Sequence, residues 1–75
     1  MMVLEKVIAV IAKKIECDPA TINGETKFEE LGIDSLEVIE LLMAMEEEFS
    51  TEIELGNTKL INVSDLVTLI EAKIQ

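Results

Sequence analysis

The chain has 75 residues, 16 of them acidic and 6 basic, and its formal net charge is -10. This length predicts one domain, residues 1–75, whose single core is only just large enough to stabilise a fold. The chain has no histidine, the commonest general base and metal ligand, and its acidity without any arginine excludes nucleic acid as a partner.

The chain contains no apolar run near the roughly 20 residues that span a bilayer, and its first residues lack the features of a signal peptide. We therefore expect a cytoplasmic monomer, or the mature form of an organellar protein, without a membrane span. Cys17 is the single cysteine and cannot form an internal disulfide, so we interpret it as a small core side chain.

The first predicted element is an amphipathic helix over residues 3–16. Its apolar residues recur at three- and four-residue steps: Leu4, Val7, Ile8, Ile11, Ala12 and Ile15. Asp18-Pro19 ends this helix and predicts a new helical turn, with Asp18 as its N-cap and Pro19 in the first helical position.

Residues 17–34 are predicted to form a long connection. Connections of this length are uncommon in compact domains unless they are anchored. Thr26 and Glu29 have the spacing that caps a short turn. The candidate anchors are the apolar residues Ile22, Phe28, Leu31 and Ile33.

The second predicted helix begins at Asp34 or Ser35 and ends near Phe49, and Asp34 with Glu37 has the spacing of a capping box. At 100° per residue one face is apolar and must meet the core. That face comprises Val38, Leu41, Leu42, Met45 and Phe49. A second stripe consists of Leu36, Ile39 and Met43, flanked by Glu40, Glu46 and Glu47.

The second stripe has two possible explanations. It is either a binding surface with a hydrophobic centre and a charged rim, or a part of the core that a short helix or loop covers. All the net charge lies near it, because residues 28–54 contain ten acidic residues and no basic one, while six acidic and six basic residues cancel elsewhere. Charge alone favours a solvated face that keeps the protein soluble over a surface that steers basic partners.

The remaining elements complete an all-helical prediction. Residues 58–61 are predicted to form one short turn, and Asn62 with Asp65 to cap a last helix. The apolar set of that helix is Val63, Leu66, Val67, Leu69, Ile70 and Ile74. No segment has the sustained alternation of a strand, so we predict three substantial helices and one short one.

Ser35 is the candidate modification site because it lies at the start of the second helix, where free N–H groups and the helix dipole favour an anion. Serine is common at helix starts, so position alone is weak evidence. The chain has no histidine to activate the hydroxyl, and no lysine lies between Lys27 and Lys59, although a lysine distant in sequence can fold nearby. We therefore expect a separate enzyme to perform any modification.

The segment Leu31-Gly32-Ile33-Asp34-Ser35-Leu36 resembles the phosphopantetheine attachment motif of carrier proteins. The glutamate-rich residues 37–49 are similar to the second helix of bacterial-type acyl carrier proteins of fatty acid synthesis. The similarity extends more weakly over residues 3–74. It implies an all-α four-helix bundle with three main helices and a short third helix.

The resemblance implies a carrier rather than an enzyme. A phosphopantetheinyl transferase would move phosphopantetheine from coenzyme A to Ser35, and the thiol of this arm would hold acyl intermediates as thioesters during fatty acid biosynthesis. Basic patches on the transferase and on the synthesis enzymes would bind Asp34, Leu36, Glu40, Met43, Glu46 and Glu47. The acyl chain would retreat between helices, lined by Leu41, Met45, Ile53 and Ile61.

Two alternatives stay open from the sequence. The first is a carrier of another cargo, such as a polyketide unit, an aminoacyl group or D-alanine, with the same chemistry at Ser35. The second is an acidic helical adaptor in which Ser35 is unmodified. The intact mass of the native protein separates the second alternative from any carrier.

Overall fold

A computed structural model describes residues 2–54 and 59–74 of the chain. These residues form three α-helices and two short 3-10 turns. The helices are α1 (Val3–Ile15), α2 (Ser35–Phe49) and α3 (Val63–Ile74), and the turns are Pro19–Thr21 and Glu29–Leu31. Over these two ranges the structure has no strand, and one antiparallel bridge joins Lys27 to Asn62. The prediction of an all-helical fold is confirmed.

The predicted short third helix does not appear in the part of the chain that can be described. Its first residue, Thr58, lies outside the described residues, and residues 59–61 are not helical. The described architecture is therefore three helices joined by two long connections.

The core lies where α1 packs against both α2 and α3. Each helix contributes one apolar face, as the periodicity of the sequence predicts. The buried residues of the described chain are all apolar: Val7, Ile11, Ala12, Ile22, Phe28, Ile33, Leu41, Leu42, Met45, Ile53, Val63, Leu66 and Ile70. Ile74, in the last turn of α3, is exposed instead.

The long connection between α1 and α2 is anchored as predicted. Ile22, Phe28 and Ile33 are buried, and Leu31 is half-buried. The Phe28 N–H donates to the Ile61 carbonyl at 3.0 Å, which ties the connection to the segment before α3.

Two further backbone hydrogen bonds hold the same connection against the start of α3. The Val63 N–H donates to the Thr26 carbonyl at 3.0 Å, and the Ser64 N–H donates to the Gly24 carbonyl at 2.8 Å. The start of α3 is also capped reciprocally, because the Asp65 N–H donates to Asn62 Oδ1 at 3.0 Å and the Asn62 N–H donates to Asp65 Oδ2 at 3.1 Å. The predicted cap at Asn62 and Asp65 is confirmed.

The caps within the connection follow the prediction only in part. Asp18 caps the Pro19–Thr21 turn as expected, since its Oδ1 accepts from the Ala20 N–H at 2.9 Å. The prediction that Thr26 and Glu29 cap a turn is wrong. Thr26 Oγ1 accepts from the Asn23 N–H instead, and Glu30 Oε1 accepts from the Lys27 N–H.

None of the helices in the described ranges is long and apolar enough to cross a membrane.

Candidate functional site

Ser35 is exposed and is the first residue of α2. Asp34 precedes it as the N-cap in an extended conformation, and Asp34 Oδ1 accepts from the Glu37 N–H at 2.9 Å. Glu37 Oε1 accepts in return from the Asp34 N–H at 3.3 Å. The predicted capping box is confirmed, and it fixes the backbone that presents the Ser35 hydroxyl.

A tight turn before Asp34 aims the chain into α2. Gly32 has a φ of 73°, in the left-handed region that glycine adopts without strain, and its N–H donates to the Glu29 carbonyl. A Cβ on Gly32 would meet no atom within 4 Å, so the backbone conformation rather than space selects glycine here. The Ile33 N–H donates to the Phe28 carbonyl, and both of these side chains are buried. Ser35 thus follows a rigid, anchored turn.

The local chemistry at Ser35 fits a phosphodiester. A helix leaves its first N–H groups without intrahelical acceptors, and the capping box satisfies those of Asp34 and Glu37 but not those of Ser35 and Leu36 between them. The remaining dipole at this end of α2 stabilises a negative group. The hydroxyl is exposed and therefore accessible to a modifying enzyme, while the chain has no histidine to activate it.

The second stripe of α2 is open to solvent. Leu36 is 67% exposed, Met43 60% and Ile39 48%, whereas Met45 on the opposite face is completely buried. No described element covers these side chains, so the alternative that they belong to the core is wrong for this structure. Isolated exposed apolar residues are ordinary, but three on adjacent turns next to Ser35 form a patch.

Ile39 belongs to this patch although the family resemblance did not include it among the partner-binding residues. The helical wheel had already placed it in the second stripe, and its exposure in the structure agrees.

The steps from Leu36 to Glu40, Met43 and Glu47 are four, three and four residues, so these side chains share one face. At 1.5 Å per residue the face is about 16 Å long.

The acidic residues around the second stripe have different surroundings. Glu47 is exposed, while Glu40 Oε1 lies 3.9 Å from Lys14 Nζ of α1. Glu46 is half-buried, and its Oε2 accepts from the Ile53 N–H at 3.0 Å. The structure therefore brings Glu40 and Glu47 to the rim of the patch, and it gives Glu46 a bond within its own chain.

Negative charge accumulates at the carboxyl end of α2. The last turn has no basic residue, and three consecutive glutamates, Glu46 to Glu48, lie where the helix dipole is already negative. Lys6 Nζ lies 5.5 Å above the ring of Phe49 and brings one positive charge to this end. In the described ranges no three acidic or sulfur ligands converge as a metal site.

The four side chains that the resemblance implied as an acyl lining are not all in the core. Leu41, Met45 and Ile53 are buried in the core, but Ile61 is half exposed. Ile61 therefore lies at the surface, where its carbonyl accepts from the Phe28 N–H.

Comparison with known proteins agrees with these features. Residues 5–70 match a family model described as a phosphopantetheine attachment site. The chain is 44% identical over 73 residues to an acyl carrier protein of Helicobacter pylori (strain G27), covering 95% of this chain and 94% of that protein. It is 42% identical to an acyl carrier protein of Campylobacter curvus (95% of each chain) and 44% identical to one of Solidesulfovibrio magneticus (97% of this chain, 96% of the other).

Proposed function

This chain belongs to the acyl carrier protein family, and on that premise we propose that Ser35 is the residue that bears its phosphopantetheine. The protein is a carrier rather than a catalyst, and its prosthetic group is covalently bound phosphopantetheine. The thiol of that group holds the acyl cargo as a thioester.

The observation that carries the assignment is that the chain's three serines lie in different surroundings, and those of Ser35 suit a phosphodiester best. Ser35 is exposed at the positive end of α2, inside the capping box that Asp34 and Glu37 form. Ser50 instead caps the negative end of α2 with a φ of 50°, where a phosphodiester is disfavoured. Ser64 lies near the start of α3, but its N–H is already bonded to the Gly24 carbonyl.

The test is loading of the apo protein with coenzyme A and a broad-specificity transferase, followed by intact mass measurement. We expect one phosphopantetheine per chain, no loading of Ser35→Ala, and normal loading of Ser64→Ala as the matched control. Loading of the Ser35→Ala variant would contradict the assignment. The native protein should show the same added mass, because the unmodified adaptor alternative predicts none.

We further propose that the second stripe and its acidic rim bind the basic patches of the transferase and of the synthesis enzymes. The proposed contacts are Asp34, Leu36, Glu40, Met43, Glu46 and Glu47. Support comes from the exposure of the apolar members and from the absence of lysine across residues 28–54. A patch of apolar centre and charged rim is typical of interfaces that form and dissociate repeatedly.

The proposed cargo is a fatty acyl chain, since residues 37–49 are similar to the second helix of carriers of fatty acid synthesis. Polyketide, aminoacyl and D-alanyl cargo share the chemistry at Ser35 and differ in the enzymes that accept the loaded protein. We expect fatty acid synthesis enzymes to accept the protein in its malonyl-loaded and acyl-loaded forms and to extend the acyl chain. Loading by an aminoacyl or D-alanyl ligase instead would contradict the proposed cargo.

The four-helix bundle and the monomeric, cytoplasmic state belong to the same proposal. Ile53, near the start of the connection between α2 and α3, is buried, and Leu60, near its end, is half-buried against the core, which supports a bundle with an element between them. Backbone chemical shifts of residues 55–61 test for the short third helix, and light scattering tests for the monomer.

A further inference from the structure

Glu46 organises the chain where α2 ends. Its carbonyl accepts from the Ser50 N–H and from the Thr51 N–H, the latter at 3.1 Å. Its carboxylate reaches further and accepts from the Ile53 N–H at 3.0 Å. Glu46 therefore accepts hydrogen bonds from three of the seven backbone N–H groups that follow it in the chain.

The two kinds of bond have different sequence requirements. Any residue at position 46 supplies the carbonyl, so the bonds to Ser50 and Thr51 survive substitution. Only a side chain as long as glutamate or glutamine can supply the acceptor for Ile53. The side chain of Ile53 is buried in the same core as Leu41 and Met45, so loss of this acceptor leaves an unpaired N–H beside buried apolar groups.

The neighbouring acidic residues do not share this geometry. Glu47 and Glu48 are exposed, and in the described residues neither side chain accepts a hydrogen bond from a backbone N–H as that of Glu46 does. They contribute charge to this end of α2, whereas Glu46 contributes charge and a specific contact. This difference supplies matched controls, because substituting Glu47 or Glu48 makes the same charge change two or fewer residues away.

We propose that Glu46 is a tether that couples docking on α2 to the packing of Ile53. A basic group of the docked transferase that draws Oε2 of this carboxylate to itself competes with the Ile53 N–H for that oxygen. The competition loosens residues 50–53 and the part of the core that Ile53 occupies. This inference rests on the proposed docking role of α2, but the tether itself exists in the free protein and can be tested there.

The first experiment measures amide hydrogen exchange of the free protein by NMR. Glu46→Ala should accelerate exchange of the Ile53 N–H on the order of tenfold, as expected for loss of a hydrogen bond to a charged group. The Ser50 and Thr51 N–H groups, bonded to a main-chain carbonyl, should keep their exchange rates. Glu46→Gln retains an acceptor and should restore most of the protection, and Glu47→Ala should change none of the three. Equal effects of Glu46→Ala and Glu47→Ala would overturn the tether.

The second experiment adds the transferase to the Ser35→Ala variant, which presents the same α2 face but is not loaded. Docking should accelerate exchange of the Ile53 N–H and broaden the resonances of residues 50–53. If the transferase docks and the protection of Ile53 is unchanged or increased, the coupling is overturned. If the wild-type protein is not loaded at all, the proposed function fails instead, while exchange in the free protein still decides the tether.

Discussion

Two methionines of α2 provide a direct test of the two-faced helix. Met43 and Met45 lie two residues apart on the same helix, but Met43 is 60% exposed and Met45 is 0% exposed. Replacing each with alanine removes the same atoms and has the same effect on helix propensity. Any difference between the two variants therefore reports burial.

The expected free energies follow from these exposures. Truncating a fully buried methionine costs about 2–5 kcal/mol, since a cavity is left behind. Burying a whole methionine side chain is worth about 1.5–3 kcal/mol, and Met43 buries two-fifths of its surface, so its truncation should cost at most about 0.6–1.2 kcal/mol. A chain of this length is stable by only about 4–11 kcal/mol, so the Met45→Ala variant should unfold far more easily.

The assay is urea unfolding followed by circular dichroism, with the slope m checked for constancy. Met45→Leu, which conserves volume, keeps the comparison informative if Met45→Ala does not fold. In parallel, Met43→Ala should lower the transferase kcat/KM with little change in stability. A loss of stability in Met43→Ala as large as that in Met45→Ala would refute the assignment of the second stripe to partners.

Four further predictions follow from the site and its charge. Lys14→Ala should speed association with basic partners and change the free energy of unfolding by no more than about 1 kcal/mol, because it removes the cation beside Glu40. Glu40→Lys should slow transfer of phosphopantetheine by the transferase. Rates measured over a range of salt concentrations test both variants, and unchanged rates in both would contradict a docking role for the acidic rim of the second stripe. Asp34→Ala should cost about 0.5–2 kcal/mol of unfolding free energy through loss of the cap, read from urea curves, whereas a neutral result would mean that the cap contributes nothing in solution. Gly32→Ala should destabilise by about 1 kcal/mol because of its positive φ alone, since no neighbour opposes the added methyl; the same curves decide, and a stabilised variant would disprove the strain. Salt should raise Tm because screening relieves the repulsion among the acidic residues of 28–54. Magnesium should raise Tm further at matched ionic strength, because a cation that binds the folded carboxylates stabilises the folded state. An unchanged Tm would show that lysines already neutralise this segment.

Local rules were sufficient at the starts of α2 and α3, although not at the turn near Thr26. The capping boxes at Asp34 with Glu37 and at Asn62 with Asp65 join residues three apart, so spacing alone predicts them. The core face and the second stripe of α2 follow likewise from the helical repeat. Periodicity could not say whether the second stripe is covered, because that depends on where other elements lie.

Contacts between distant segments account for what the sequence did not predict. The turn near Thr26 has a different cap because backbone bonds to Ile61 and to the first two residues of α3 hold residues 24–28, which selects the register of the turn. The bond from the Ile53 N–H to Glu46 spans seven residues across a helix end, outside any helical spacing rule. Ile74 has the helical spacing of a core residue, and the family resemblance implied Ile61 as acyl lining, but both side chains are exposed.

The hydrogen bonds between residues 24–28 and residues 61–64 also fix an order of assembly. A ribosome makes the connection that precedes Ser35 long before it makes the carbonyl of Ile61 and the amides of Val63 and Ser64. An unfinished chain can form α1 and α2 from local contacts, but residues 24–28 of the connection before Ser35 lack the partners that hold them in place. The connection that leads to Ser35 is therefore fully held only when the chain has been made as far as Ser64.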